Sequence, residues 1–563
     1  MQLAVRQEDA DILLKQKNVL DEAIIEKYRV AGQITQTGLT YITSLINNSY
    51  HLSSTKLTIQ HLCLLTDSFL TKLLSRQYAN LVNEKGIAHP TTINVNELIN
   101  GFAPEVDDER SFTFNEGDVV TISLGVHIDG YTSQVSHTMV IYPPSPELKP
   151  TGPLLGSNAD AIVACHIAVE TMVALLGTSL SPEKLPANLK NQSGTITGQQ
   201  IRTLVDAIAE SFNCIVIPGS KIRRVRRFLA GQAEGIVAER DFKGVVWDES
   251  HQETRLLKQA TTSTELVLQD GNKKASQTNN SSAVPTDEFV VLPGEVYQID
   301  IRMVGLQSLN EVGIVTTEEI DHFTGKNHKQ EFNCKSSIFI RDFAITHQLK
   351  LKTARKLLSD IDHEFSVYPF KLDYVGKNFP INLESNDEEI RQQIDAITKD
   401  MKSHRLGAAE LSNRHLIKAK PVQITKFIPL EQILLTANPT GKHGIDAAKP
   451  VLPGMEIPLP KLGISSLKLK SLLKHGKNIS NVRESTTVII NEGNQEVIRL
   501  TGGEKTGRPS WTHSQYKLQG ELKDTIEYLV QLTKDKRFGI KVKEISPYKT
   551  KQNNMAVESM QLD

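Results

Sequence analysis

Cysteine is scarce: Cys63, Cys165, Cys214 and Cys334 are the only four among 563 residues, and none pair in a Cys-x-x-Cys spacing. That spread excludes a disulfide framework or a zinc knuckle and predicts buried thiols. Net charge is also nearly absent, −1 overall, so attraction to nucleic acid has to come from local basic patches and not from a whole-molecule field. No run of roughly 18 to 20 apolar residues stands out, and the first residues lack the apolar core of a signal peptide. The expectation is an intracellular protein with no membrane partner. Sequences of the GxSxG, GxxxxGK[ST] and GxGxxG types are missing too, which removes the common nucleophile elbow and phosphate loops.

What is present is an ordinary globular mixture, 39% apolar and 23% charged, long enough for several domains or one duplicated domain. Up to about residue 85 apolar residues recur every three or four positions (Ile24, Ile25, Tyr28, Ile34, Leu39, Ile42, Leu45), which predicts helix. The period then drops to two. Residues 119–124 and 138–142 predict strands, with Asp129-Gly130 supplying a turn. Ser157 with Asp160, and Thr197 with Gln200, predict capping boxes that open two further helices. Strands are expected again at 289–292, 296–301 and 311–316.

Helix, helix, strand, strand therefore occurs twice, and the letters agree: Gly117-Asp118-Val119-Val120-Thr121-Ile122-Ser123 matches Gly294-Glu295-Val296-Tyr297-Gln298-Ile299-Asp300. Two such halves, 15–150 and 151–500, would pack strands inside and helices outside around a central cleft. The polar run 259–287 reads as a mobile loop, 340–460 as an insertion that breaks the repeat, and 546–563 as a loose tail.

Most chemical motifs have plain explanations. His363-Glu364 starts like a zinc-protease helix, but Val367 stands where the second ligand belongs. Cys165 and His166 are neighbours on a helix and point about 100° apart, so they do not form a nucleophile and base pair. The densest signal is Lys221-Ile-Arg-Arg-Val-Arg-Arg-Phe228, five cations in seven positions. On a helix or turn, Ile222, Val225 and Phe228 would anchor one face while Lys221, Arg223, Arg224, Arg226 and Arg227 fan outward to RNA phosphates. Weaker basic stretches lie at Lys468, Lys470, Lys474 and Lys477, and at Lys534, Lys536, Arg537, Lys541 and Lys543.

Residues 86–104, the strand pair around 125–130, and segments 228–236, 294–300 and 500–511 together resemble the methionine aminopeptidase-like family, peptidase M24. Within it they resemble the fungal branch of factors that accompany precursors of the large ribosomal subunit. The resemblance spans residues 1 to about 545. It implies an α+β pita-bread fold, a site at the tunnel exit of the pre-60S particle on ribosomal RNA and large-subunit proteins, contact with nucleoporin Phe-Gly repeats and other assembly factors, and shuttling between nucleus and cytoplasm.

The active family holds two divalent ions. Carried over, its ligand positions fall on Ser123, Gln134, Gln232, Asp300 and Glu484, and its pocket histidine on Gly101. Two carboxylates cannot neutralise a dimetal pair, so the resemblance implies a chain without cofactor and without catalysis. The alternative is an active metallo-aminopeptidase drawing ligands from His127, Asp129 and His137.

Overall fold

The computed structural model describes Ile12 and residues 16–549 except 53–55, 79–80, 83, 191–193, 229–243, 250, 253–288, 308, 310, 321–334, 366, 431, 434–471, 504–510 and 536. The expected loop 259–287, Cys334 and Gln232 lie outside the described residues, as does all but the start of the 546–563 tail. Helix α1 (Glu22–Ile46) is capped by Asp21, whose carboxylate accepts from the Ile24 N–H at 2.7 Å, and α2 (Ile59–Arg76) by Thr58. Both bury their apolar stripe on the strands that follow, β1 (Lys85–Val95), β3 (Val119–Ile128) and β4 (Tyr131–Val140), with the short β2 (Leu98–Asn100) between the first two. The hairpin from β3 to β4 turns on Asp129 and Gly130 alone, at φ 53° and 81°. Such a two-residue turn needs two left-handed residues, and Asp-Gly provides them most cheaply.

The second half repeats the plan with α3 (Ser157–Gly177) and α4 (Gly198–Ser211). The Thr197–Gln200 capping box forms in both directions. The one expected at Ser157 does not: Gly156 occupies the cap, Ser157 already lies in the first turn, and Asp160 accepts from the Ser514 hydroxyl instead. With its continuation to Leu180, α3 is long and apolar enough by length and composition to cross a membrane, which corrects the expectation of no such stretch. Its apolar window is 78% buried within the protein, as suits a core helix packed on the sheet.

The strands of this half are β5 (Cys214–Val216), β6 (Lys221–Arg224), β7 (Val245–Val246), β8 (Val296–Gly305) and β9 (Gly313–Ile320). The strand expected at 289–292 is only an isolated bridge from Val290 to Thr197. The chain continues through β10 (Ile338–Arg341), α5 (Lys352–Glu364), β11 (Phe370–Lys371), α6 (Asp387–Asn413), β12 (Ile417–Ala419), β13 (Val422–Pro429) and β14 (Lys477–Asn478). It closes with β15 (Val482–Asn491), β16 (Glu496–Arg499), α7 (Lys523–Lys534) and β17 (Val542–Glu544).

One mainly antiparallel sheet runs β1-β3-β4-β15-β8-β6-β7, so the two halves meet where Ser136 of β4 faces Ser485 of β15. Its helix-covered face is apolar and its other face lines the cleft, which is the pita-bread arrangement the resemblance implies. The expected insertion is a layer of its own, α5 and α6 on the small sheet β11-β10-β12, and its core is continuous with Leu64 and Leu65 of α2. The four strands β14-β13-β2 with β9 form a third sheet beside the cleft.

Candidate functional site

Strand register builds the cleft. Because side chains alternate across a sheet, residues paired across successive strands form rows on one face. The central row reads Thr92, Ser123, Ser136, Ser485, Asp300, Lys221 across β1, β3, β4, β15, β8 and β6. Flanking it on one side are Gln134, Thr487, Gln298 and Arg223, and on the other Thr121, Thr138, Arg483 and Arg302. These are hydroxyls, amides and cations, with Asp300 the one carboxylate in the three rows.

Asp300 is fully buried and clamped. Arg483 donates Nε to Oδ1 at 2.8 Å and Nη2 to Oδ2 at 2.9 Å, and Arg302 Nη2 reaches Oδ2 at 3.0 Å. Burial alone would raise its pKa, but the two guanidinium groups outweigh it and hold the carboxyl well below its usual range. The Ser123 and Ser136 hydroxyls bond each other at 2.8 Å, and Gln134 Oε1 accepts from Gln298 Nε2 at 2.9 Å. Gly101 sits at φ +82° with a Cβ position 2.8 Å from the Pro421 carbonyl, so no side chain fits there.

Glu484 corrects the carried-over ligand set. It lies on the opposite, helix-covered face, where Oε1 accepts from the Thr138 N–H at 2.9 Å and both oxygens approach His137 Nδ1 at 3.1 and 3.2 Å. The residue facing Asp300 across β15 and β8 is Ser485. The signal was in the sequence: Val482, Val488 and Ile490 are the core-facing residues of that strand, and Glu484 shares their parity.

A pair of divalent ions does not fit this row. It would bring +4 charges to a face that offers a single carboxylate already neutralised by arginine. The alternative ligands do not converge either. His127 stacks on Tyr368 with ring centres 4.0 Å apart, Asp129 is bound by Lys27 and Arg227 at 2.7 and 2.6 Å, and His137 faces Glu484 beneath the sheet. Among the described residues no three His, Cys, Asp or Glu side chains gather as a metal site. Cys165 donates to the Ile301 carbonyl inside the core, and His166 faces away from it toward the Glu484 side.

The arginine segment is a strand that runs into a turn at Arg227 and Phe228, not a helix, and its guanidinium groups turn inward. Arg223 lies against Gln298 at 3.3 Å, and Arg224 donates to the Val290 carbonyl at 2.6 Å above the Phe289 ring. Arg226 holds Glu295 through both terminal nitrogens, and Arg227 binds the Asp129 carboxylate and carbonyl at 2.6 and 2.8 Å. The outward fan expected for Lys221, Arg223, Arg224, Arg226 and Arg227 is therefore corrected: internal acceptors consume the donors of the four arginines, and Lys221 lies opposite Asp300 in the central row of the cleft. Sequence reasoning did not identify Arg302, Arg483 and Ser485 as cleft residues.

Residues 26–181 match the model of metallopeptidase family M24. Over its full length the chain is 79% identical to the full-length probable metalloprotease ARX1 of Candida albicans. It is 50% identical to the protein of that name from Saccharomyces cerevisiae, with 98% of each chain covered. A solved structure of a thermophilic Arx1 aligns over 91% of this chain and 98% of its own at a TM-score of 0.52 and 17% identity, a likeness of fold.

Proposed function

The chain belongs to the ARX1 family of M24 metallopeptidase-like proteins, and from that premise we propose that it uses the peptidase scaffold to bind and not to cut. The Arg483–Asp300–Arg302 clamp carries this reading, because it fills the charge position of a metal with guanidinium groups fixed by the chain itself. The Ser123–Ser136 hydroxyl pair supports it, since a bridging carboxylate would have to replace a closed hydrogen bond. No metal or organic cofactor enters the mechanism.

As a binding protein it is a ribosome-assembly factor that sits on the pre-60S particle near the tunnel exit, travels with it through the nuclear pore and is released in the cytoplasm. Phosphate contacts to ribosomal RNA fall to the exposed basic residues around the end of α7 and β17, Lys534, Arg537 and Lys543, and not to the paired arginines at 223–227. The groove between Phe102, Phe112 and Phe339, closed by Ala408 and Ala409 of α6, offers an apolar seat for phenylalanine side chains of nucleoporin repeats. The acidic residues at its edge are already paired within the chain, Glu105 and Asp107 with Arg405 and Asp108 with Arg110, and they hold the groove wall.

The test is paired. Elemental analysis of purified full-length protein is expected to find no stoichiometric divalent metal, and Met-Ala peptides to survive with added Mn²⁺ or Co²⁺. Sucrose-gradient sedimentation of a tagged chain is expected to place it with large-subunit precursors. Bound metal with measurable cleavage would establish the peptidase reading instead, and absence from precursor fractions would remove the assembly role.

A further inference from the structure

Among the described residues the cleft sets several cations against a single carboxylate, that of Asp300. Arg483 is 6% exposed, and its Nη1, on the far side of the fork that holds Asp300, has no hydrogen-bond partner in the protein. Gln134 Nε2, also buried, lacks one as well. Lys221 faces Asp300 across β6 and β8, and Lys420, which leads into β13, lies within electrostatic reach of Arg223 and Arg483. Neither lysine's ammonium group makes a hydrogen bond or ion pair among the described residues. Among the described residues, Lys221, Arg302, Arg483 and Lys420 stand against Asp300, four positive charges to one negative, an excess of three.

Unpaired buried donors and uncompensated cations each raise the free energy of the empty site, and one kind of ligand satisfies both: a group with only acceptor oxygens and a negative charge. From this we propose that the central cleft is an oxyanion receptor, in which Arg483 Nη1, Gln134 Nε2, Lys221 and Lys420 take up a carboxylate or phosphate group. The scaffold's polarity is thus inverted, since positions matching carboxylates that hold cations now belong to a lattice that attracts an anion. The inference rests on the cleft alone and holds whether or not the chain binds ribosomal precursors.

The surroundings tune the site. Arg223 and burial press the Lys221 pKa well below its usual value, burial with Arg223 and Arg483 lowers Lys420 to about 8, and burial with Lys420 and Arg483 lowers His89 on β1 to about 3. Asp300 opposes these shifts at Lys221 and His89, and it is already committed to its two arginines. A bound anion would raise both lysine pKa values again, so binding draws protons from solution at and above pH 8, where Lys420 by itself is part deprotonated.

The experiment is calorimetry on the full-length protein at low ionic strength, with three titrants: inorganic phosphate, a glutamate-rich peptide and a neutral Gly-Ser peptide. Saturable binding of phosphate or of the acidic peptide is expected, with the neutral peptide inert. Phosphate binding with the peptide inert identifies a free anion as the source, and tighter peptide binding identifies an acidic chain. Lys221→Met and Lys420→Met break no internal pair, and each is expected to weaken binding at least about tenfold, as for loss of a charge-assisted hydrogen bond. At pH 8.5 the binding heat should vary with the ionisation enthalpy of the buffer. The proposal is overturned if neither anion binds, if the neutral peptide binds equally well, or if affinity is unchanged in both lysine variants.

Discussion

Arg483 presents its Nε and Nη2 to the two oxygens of Asp300 at 2.8 and 2.9 Å, a fork-to-fork pairing in the middle of a sheet face where Asp300 is 0% exposed. Removing one partner strands the other charge away from water. Arg483→Leu and Asp300→Leu are each expected to destabilise the fold by about 3 kcal/mol, the usual cost of breaking a buried pair. The double variant should recover part of that loss, because both charges leave together. Urea denaturation of the three variants reads the coupling; strictly additive losses would mean that the pair does not act as a unit.

The clamp also predicts what will fail to rebuild a metal centre. Ser123→Asp with Gln134→Asp returns two carboxylates to the face, yet they meet a face already set with guanidinium groups, Arg223 in the Gln134 row and Arg483 and Arg302 in the row on the other side of Ser123. The double variant is expected to take up no Mn²⁺ in equilibrium dialysis. Stoichiometric Mn²⁺ with Arg483 in place would show that the arginines do not exclude the ion.

Arg226 and Arg227 separate a structural basic segment from a binding one. Their side chains are 12% and 18% exposed and their partners Glu295 and Asp129 are 15% and 16% exposed. Replacing Arg226 with Ala should lower stability by about 1 to 3 kcal/mol by leaving Glu295 without its charged partner. Replacing Arg223, Arg224, Arg226 and Arg227 together with Glu should unfold the chain before it tests any RNA contact. By contrast, glutamates at the exposed positions Lys534, Arg537 and Lys543 should leave the thermal midpoint nearly unchanged while reducing precursor binding and flattening its salt dependence. Circular dichroism melts beside gradient sedimentation distinguish the two sets.

The duplicated strand pair was legible because a period of two with matching Gly-acid starts survives in both halves, and Ser123 and Asp300, read off that pattern, lie in the central row of the cleft. Glu484 was misplaced because spacing was counted along the strand without its face; alternation with Val482 and Val488 puts it with the core. The arginine segment misled for a different reason. Sequence shows five cations but not the acceptors, and Glu295 and Asp129 reach them from 69 and 98 positions away. Arg302 and Arg483 were likewise invisible as a clamp, since only the β8–β15 register brings them to one carboxylate. Ser157 failed as a cap for a local reason, a glycine at φ +88° that starts the helix one residue earlier.

Two buried histidines that are hydrogen-bonded as neutral rings contribute to the acid limit of the fold, beside His89 in the cleft. The His51 ring, 0% exposed, donates Nδ1–H to Asn47 Oδ1 at 2.9 Å and accepts the Tyr142 N–H at Nε2. His127, 3% exposed, accepts the Gly130 N–H at Nδ1 and stacks on Tyr368. Protonating either ring sets a new N–H against a backbone N–H away from the surface, and burial lowers their pKa values to about 4 and about 3. The unfolded chain, with histidines near pH 6.5, therefore takes up protons first as the solution is acidified. Their contribution to stability is complete above about pH 6.5 and is lost as the pH falls toward 4 and 3. His137 runs the other way, because Glu484 outweighs burial and raises its pKa, so its contribution is complete below about pH 6.5 and is lost as the pH rises through that raised value. At pH 5 the first two histidines should cost about 2 kcal/mol each, at ~1.4 kcal/mol per pH unit below 6.5. Urea midpoints measured at pH 7.5 and pH 5 should show that loss, and His51→Gln with His127→Gln should flatten the profile; an equal acid sensitivity in that variant would assign the limit to other groups.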